Sequence, residues 1–117
     1  MSEIRATTIS DAAGTGPITL TAQSAAKAWA RYDGSAPTLN ESFNVSSLND
    51  DGSGDQTLTF TTAMSSTNFV FAGHSNQYHT GNDNVASSST VNTFTANSSH
   101  VKTDATRVGI TIHGDLA

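Results

Sequence analysis

Short runs in which apolar and polar residues alternate are the feature that most constrains how this chain can fold. The clearest run is "TRVGITIHGD", where Val108, Ile110 and Ile112 occupy every second position. "QTLTFTTAM" alternates Leu58 and Phe60 with threonines in the same way. Alternation at period two puts the apolar side chains on one face of a β-strand. Turn-forming residues separate such runs at intervals of about 8–12 residues, as in antiparallel sandwiches and barrels. We therefore predict an all-β fold, a single antiparallel β-sandwich or barrel-like domain.

Three further segments have strand character. "SFNVSSL" holds Phe43 and Val45 at strand spacing, and "TNFVFAGHS" puts Phe69 and Phe71 on one face. "STVNTFTA" is another such run. We interpret "NDDGSGD" as a turn and "HTGNDNVASSS" as a long polar connection.

The stretch "QSAAKAWARYDGS" conflicts with this pattern, because its Ala, Lys and Arg favour a helix. An isolated helix of ~10 residues is only marginally stable in water. We predict a brief helical turn over Thr21–Ala25 and then a strand from near Lys27 that ends in a turn at Asp33-Gly34. In that strand the residues sharing one face are Lys27, Trp29 and Arg31, and those sharing the other are Ala28, Ala30 and Tyr32. We expect Trp29 to be buried, since aromatic residues supply much of a small core.

Composition excludes several classes of protein. The 117 residues provide one domain, the net charge is -5, and the absence of cysteine rules out disulfides and thiol chemistry. No apolar run is long enough to span a bilayer, and "MSEIRATTIS" lacks the apolar segment of a secretory signal. The five Lys and Arg residues form no patch in the sequence. We expect no nucleic-acid partner and no membrane insertion.

The candidate chemical groups also favour a non-enzymatic protein. No "GxSxG" motif or phosphate-binding glycine loop occurs, and most acids lie in Gly-rich turns. Asp50, Asp51 and Asp55 could form a calcium loop, but their spacing is that of a plain hairpin turn. His74 and His79 are five residues apart, which puts them on opposite faces of a strand. We predict no catalytic residue, no cofactor and no metal site.

Four motifs occur in a specific order along the N-terminal two thirds of the chain. They are "QSAAKAW" followed by Tyr32–Gly34, "SFNVSS", "DDGSGD", and "FTTAM" with Asn68, preceded by the lead-in "ISDAAGTGP". In this order the run from about Ile9 to Gly73 closely resembles a module of phage tail-fibre and related virion proteins, especially those of marine phages and cyanophages. Ala30-Arg31 departs from the apolar-then-Asn pair usual in that module, which puts an arginine at a subunit contact.

The resemblance implies a non-enzymatic structural protein of the phage particle, a homotrimer with a β-rich knob. One version is a short fibre or tail-fibre tip that contacts the host surface, and the alternative is a head fibre or decoration protein on the capsid. A glycan-binding or glycan-degrading module is less favoured. The implied partners are other tail or capsid proteins and a host surface glycan. The variable second half of the module implies that Gly73–Ser99 faces outward.

Residue roles follow from combining the resemblance with the strand pattern. Residues 1–22 form an extended lead-in and virion anchor, and residues 23–117 form the knob. The anchor residues are Glu3, Ile4, Arg5 and Ile9. The trimer and core residues are Trp29, Arg31, Tyr32, Phe43 and Phe60. The residues expected to contact the host are His74, Gln77, Tyr78 and His79, with Tyr78 exposed in a polar loop.

Overall fold

The structure, a computed structural model, describes residues 13, 25–84 and 87–117. These residues form two four-stranded antiparallel sheets and contain no helix. The strands are β1 (Ala28–Asp33), β2 (Thr38–Phe43), β3 (Val45–Gly52), β4 (Asp55–Phe60), β5 (Val70–Ser75), β6 (His79–Asn84), β7 (Thr90–Ala96) and β8 (Val108–His113). Sheet A has the order β2-β1-β8-β5 and sheet B the order β3-β4-β7-β6. The predicted antiparallel β-sandwich is confirmed. The anchor residues Glu3, Ile4, Arg5 and Ile9, and most of the predicted helical turn, lie outside the described residues.

The core lies between the two sheets and is built from the alternating residues. In β8, Val108, Ile110 and Ile112 are all buried, as their strict alternation predicts. Sheet B contributes Leu58 and Phe60 of β4 from the opposite side. Burial of this apolar surface is the main favourable contribution to folding, at roughly 25 cal/mol per Å² removed from water.

Aromatic residues complete the core, in part as predicted. Tyr32 and Phe60 are buried in the core cluster. Phe69 and Phe71 are half-buried and pack against that cluster. The Phe60 and Phe69 rings meet edge to face, with centroids 5.7 Å apart. Such pairs add stability beyond the area they bury.

The prediction that "SFNVSSL" is a single strand is wrong. Asn44 has a φ of 56°, and at this residue the chain passes from β2 of sheet A to β3 of sheet B. Its amide nitrogen Nδ2 donates to the main-chain oxygens of Lys27 and Thr62, both at 3.0 Å, and its Oδ1 accepts from the Thr62 N–H at 2.7 Å. Asn tolerates this left-handed conformation better than most residues do. Asn44 is therefore a corner that connects the two sheets.

The predicted turn "NDDGSGD" is confirmed as the β3–β4 hairpin. Gly52 and Gly54 have φ values of 143° and 65°. The Asp50 carboxylate accepts the Gly52 N–H at 3.2 Å, and the Asp104 carboxylate accepts the Gly54 N–H at 2.6 Å. The two glycines supply the positive φ values that the turn needs, and Asp50 within the segment and Asp104 outside it bond the glycine N–H groups.

The predicted polar connection "HTGNDNVASSS" is wrong in its first half, because residues 79–84 form strand β6. This strand pairs with β7 at the edge of sheet B, where polar side chains are common. The outward placement of Gly73–Ser99 is also wrong for its second part. Strand β7 is central in sheet B, and Val91, Thr93 and Thr95 are buried in it.

Candidate functional site

The outer face of sheet A carries several of the candidate binding residues that the structure describes. Strand β1 starts at Ala28 and has the two faces predicted for it: Ala28, Ala30 and Tyr32 point inward, so Trp29 and Arg31 point outward. The expectation that Trp29 is buried in the core is therefore wrong, and its side chain is half-exposed on the outer face. Phe43, expected at a core or trimer position, pairs with Trp29 in register and is 41% exposed.

Strand register brings residues that are distant in the sequence into two rows on this face. Arg31 pairs with Gly109, and Gly109 pairs with His74. Trp29 pairs with Thr111, which in turn pairs with Ala72. These two rows and Arg107 line a groove of about 510 Å³, called here the sheet A groove.

Gly109 forms the floor of the sheet A groove. A Cβ atom at this position would lie 2.5 Å from Cε1 of His74, because the His74 imidazole covers the glycine backbone. A glycine inside a strand often marks a close approach of this kind. The missing side chain leaves room for the His74 imidazole, which lies over Gly109 in the same row as Arg31.

The electrostatics of the groove differ from those of the whole chain. The net charge is -5, yet none of the described residues lining the groove is acidic, and Arg31 and Arg107 are both exposed there. Within the described part of the chain, neither guanidinium makes a side-chain hydrogen bond or an ion pair within 4.0 Å. The groove is thus a locally positive surface next to a half-exposed tryptophan.

A second cavity of about 550 Å³ adjoins the groove and shares Arg31 and Arg107 with it. Its other lining residues are Asp33, Asn40, Asn76 and Thr106. The Asp33 Oδ1 accepts hydrogen bonds from Ser35 Oγ at 2.8 Å and from the N–H groups of Ser35 and Ala36 in the turn after β1. These bonds, first the one from the Ser35 side chain, lower the pKa of Asp33. The second cavity therefore adds amides, a hydroxyl and one carboxylate to the groove.

The residues predicted to contact the host are not brought together. His74 lines the sheet A groove, and Gln77 is exposed in the short β5–β6 connection. The expectation that Tyr78 is exposed is wrong, since it is half-buried and packs against the core cluster. His79 belongs to β6 of sheet B, so it is on the other sheet from His74. Sequence proximity is misleading here because the chain changes sheets between β5 and β6.

A separate polar cluster lies on the outer face of sheet B. The His79 and His100 rings are stacked with centroids 5.9 Å apart. Lys102 Nζ donates to the carboxylates of Asp83 at 2.6 Å and Asp55 at 2.9 Å, and these bonds raise the lysine's pKa. A cavity of about 300 Å³ lies between the two pairs. In the residues the structure describes, no group of three or more His, Asp or Glu is placed to hold a metal ion. Surface ion pairs of this kind are worth about 0–1 kcal/mol.

Sequence reasoning missed Arg107 and Gly109 as parts of the site. Arg107 precedes β8 and is far in the sequence from Trp29 and Arg31, so only the strand order places them together. The glycine inside the alternating run "RVGITIH" was the available signal, because the other outward positions of that run carry side chains.

Comparison with known proteins adds no relative. The chain matches no family model, and no curated protein or solved structure is significantly similar to it. A search of the described residues for helices long and apolar enough to cross a membrane found none. What the site can do must therefore be judged from its own chemistry: an aromatic face, two guanidinium groups that pair with no described acid, and hydrogen-bonding amides. Together these groups suit ligand binding.

Proposed function

We propose that this chain is a non-enzymatic structural protein of a phage particle, the β-sandwich knob of a short trimeric fibre or tail-fibre tip that contacts the host surface. The observation that carries the proposal is where the motifs of the resemblance fall in the fold. "SFNVSS" contains the Asn44 corner between the sheets, and "DDGSGD" forms the β3–β4 hairpin with Gly54 at positive φ. The resemblance thus rests on residues that the backbone requires at corners and turns.

The exposed groove supports the fibre-tip version of the proposal. Arg31, Arg107 and the half-exposed Trp29 line one concave surface, and such a combination of charged and aromatic groups suits a bound ligand. Trp29, Arg31 and Phe43, the residues expected at subunit contacts, all lie on the outer face of sheet A. We place the subunit contact at the β2 side of this face, where Phe43 is exposed. The β8–β5 side, with His74 and Arg107, then remains open to the host.

The alternative location is the capsid, with the same knob acting as a head fibre or decoration protein. The same fold suits both locations, since a fold does not fix a function. Residues 1–22 remain our candidate for the segment that attaches to the neighbouring tail or capsid protein, by adding to an exposed sheet edge.

A reconstruction of the phage particle tests this proposal. Density for the sandwich at the tail, with three copies around a fibre axis, is the expected result. Density on the capsid would favour the head-fibre alternative. A purified particle that lacks the protein altogether, by mass spectrometry, would overturn the virion assignment.

A further inference from the structure

The charged residues that line the sheet A groove limit the class of ligand that it can bind. Arg31 and Arg107 line both adjoining cavities, and no described acidic side chain forms an ion pair within 4.0 Å of either guanidinium. Two acids lie on the neighbouring surface: Glu41, which pairs with Arg31 across β1 and β2, and Asp33 in the second cavity. Neither lies within 4.0 Å of an arginine side-chain nitrogen. Two such guanidinium groups on one concave surface favour an anionic ligand.

The geometry of arginine suits an oxyanion. A guanidinium presents its N–H donors in a planar fork that matches the oxygens of a carboxylate or a phosphate. The two arginines come from different parts of the chain: Arg31 lies in β1, and Arg107 directly precedes β8. They can therefore contact one anion from two positions. Because Gly109 has no side chain, the His74 imidazole lies over its backbone, on the surface that the two arginines also line.

The remaining lining residues suit the ring and hydroxyl groups of a sugar. Trp29 offers an aromatic face in a fixed position, because its strand is central in sheet A and its ring is half-buried. Aromatic side chains combine apolar contact with little loss of conformational freedom. Asn40, Asn76 and Thr106 supply amide and hydroxyl groups in the adjoining cavity. Such groups fix the orientation of a polar ligand.

We propose that the sheet A groove binds a saccharide that carries a carboxylate, with Arg31 and Arg107 contacting the carboxylate and Trp29 lying against a sugar ring. This inference rests on the proposed function, because the host surface is where the protein would encounter such a saccharide. The chain is acidic overall. Among the described residues, the sheet A groove is the surface that presents two cationic side chains, Arg31 and Arg107, without an ion pair to a described acid. Charge complementarity is therefore the argument for an acidic ligand over a neutral one.

The test is a titration of the full 117-residue chain with galacturonic acid oligosaccharides. NMR chemical shifts locate the binding site, and calorimetry measures the affinity. The matched ligand is the methyl ester of the same oligosaccharide, which keeps the hydroxyls and lacks the charge. The matched protein variants are Arg31→Gln and Arg107→Gln against Lys102→Gln, because each removes one positive charge and Lys102 lies beside sheet B. Circular dichroism of each variant checks that the domain is folded.

We expect the acidic oligosaccharide to bind at least about tenfold more tightly than its methyl ester. Arg31→Gln and Arg107→Gln should each weaken binding by about tenfold or more, since hydrogen bonds to charged groups are the strong ones. Lys102→Gln should leave the affinity within about twofold. Shift changes should centre on the Trp29 indole N–H and on the β8 amides around Gly109.

Three results would overturn the proposal. Equal binding of the ester would remove the role of the carboxylate. Competition by inorganic sulfate at the same concentration as the sugar would show a general anion site without saccharide recognition. Failure of every saccharide to bind, together with a change of oligomeric state in Arg31→Gln and Arg107→Gln, would make the groove a contact between copies of this chain. Each of these leaves the location of the protein in the particle untouched, so the proposed function stands or fails separately.

Discussion

Gly54 shows most clearly how a single residue controls the shape of this protein. Its φ of 65° is unfavourable for other residues, and a Cβ at this position would lie 2.4 Å from both the Thr95 oxygen and the Thr103 nitrogen. The two contacts are backbone atoms, so they cannot move aside as a flexible side chain could. The Gly54 N–H and C=O are also both bonded, to Asp104 and to the Thr95 N–H.

We expect Gly54→Ala to lower the free energy of unfolding by about 3 kcal/mol or more, through backbone strain and steric overlap together. Gly52→Ala is the matched control in the same hairpin. Gly52 also has a positive φ, 143°, but a Cβ added there would meet nothing within 4 Å, so strain alone should cost about 1–2 kcal/mol. Urea unfolding followed by the fluorescence of Trp29, the single tryptophan, measures both. Equal losses for the two variants would contradict the steric argument.

At the scale of elements, Asn44 joins strands that belong to different sheets. Its side chain donates twice and accepts once, and its own carbonyl accepts the Thr61 N–H at 3.1 Å. Asn44→Asp keeps the size and the tolerance of positive φ, but it turns a carboxylate oxygen toward two carbonyl oxygens. We expect a loss of about 2–4 kcal/mol in the free energy of unfolding, because two acceptors lose their donor and a charge is added beside them. Asn68→Asp, at an exposed site, should change it by less than about 0.5 kcal/mol. A comparable effect at both sites would show that added negative charge, rather than the corner, is responsible.

The contact between β1 and β7 makes the free energy of unfolding depend on pH in the alkaline range. The Tyr32 hydroxyl bonds to Thr93 Oγ1 at 2.6 Å, and Thr93 Oγ1 in turn donates to the Gln56 carbonyl at 3.3 Å. Burial raises the pKa of Tyr32 to about 12, against 10.0 in an exposed tyrosine. The folded state therefore holds its proton where the unfolded state has released it. This stabilisation is complete below about pH 10 and is lost as pH rises through about 12.

We expect the free energy of unfolding to fall by about 2–3 kcal/mol between about pH 10 and pH 12 from this group. Tyr32→Phe should be less stable than the natural chain at neutral pH, by about 1 kcal/mol, because Thr93 loses its partner. The variant should lose less stability across the alkaline range, so the two curves converge above about pH 10 and cross before about pH 12. Parallel curves across that range would show that Tyr32 does not titrate in this way.

Comparing elements also shows what the sequence could predict. Strands β4 and β8 follow from strict alternation, because apolar side chains recur at every second position and fill the inward face. The break at Asn44 could not be predicted, since Phe43 and Val45 keep strand spacing although they belong to different sheets. Strand β6 was missed because an edge strand with polar side chains has the composition of a loop. In the site, the shared face of Trp29 and Arg31 was predictable from period two. Their meeting with Arg107 and Gly109 depends on strand order, which local patterns do not contain.

At the scale of the whole molecule, the proposed trimer must cover apolar surface that the single chain leaves exposed. Phe43, 41% exposed, lies on edge strand β2 beside the half-exposed Trp29. Interfaces are enriched in aromatic residues, and the β2 edge of sheet A exposes Phe43.

We expect sedimentation velocity at micromolar concentration to give a species of three times the 12.1 kDa chain mass. Phe43→Ser should shift it toward the monomer, because a polar side chain replaces the apolar contact at the β2 edge. Val101→Ser removes a similarly exposed apolar side chain, 58% exposed, from the connection between β7 and β8, and it should leave the trimer intact. A natural chain that is monomeric under these conditions would contradict the trimer. A trimer that survives Phe43→Ser and dissociates with Val101→Ser would instead move the subunit contact from the outer face of sheet A to the β7–β8 connection.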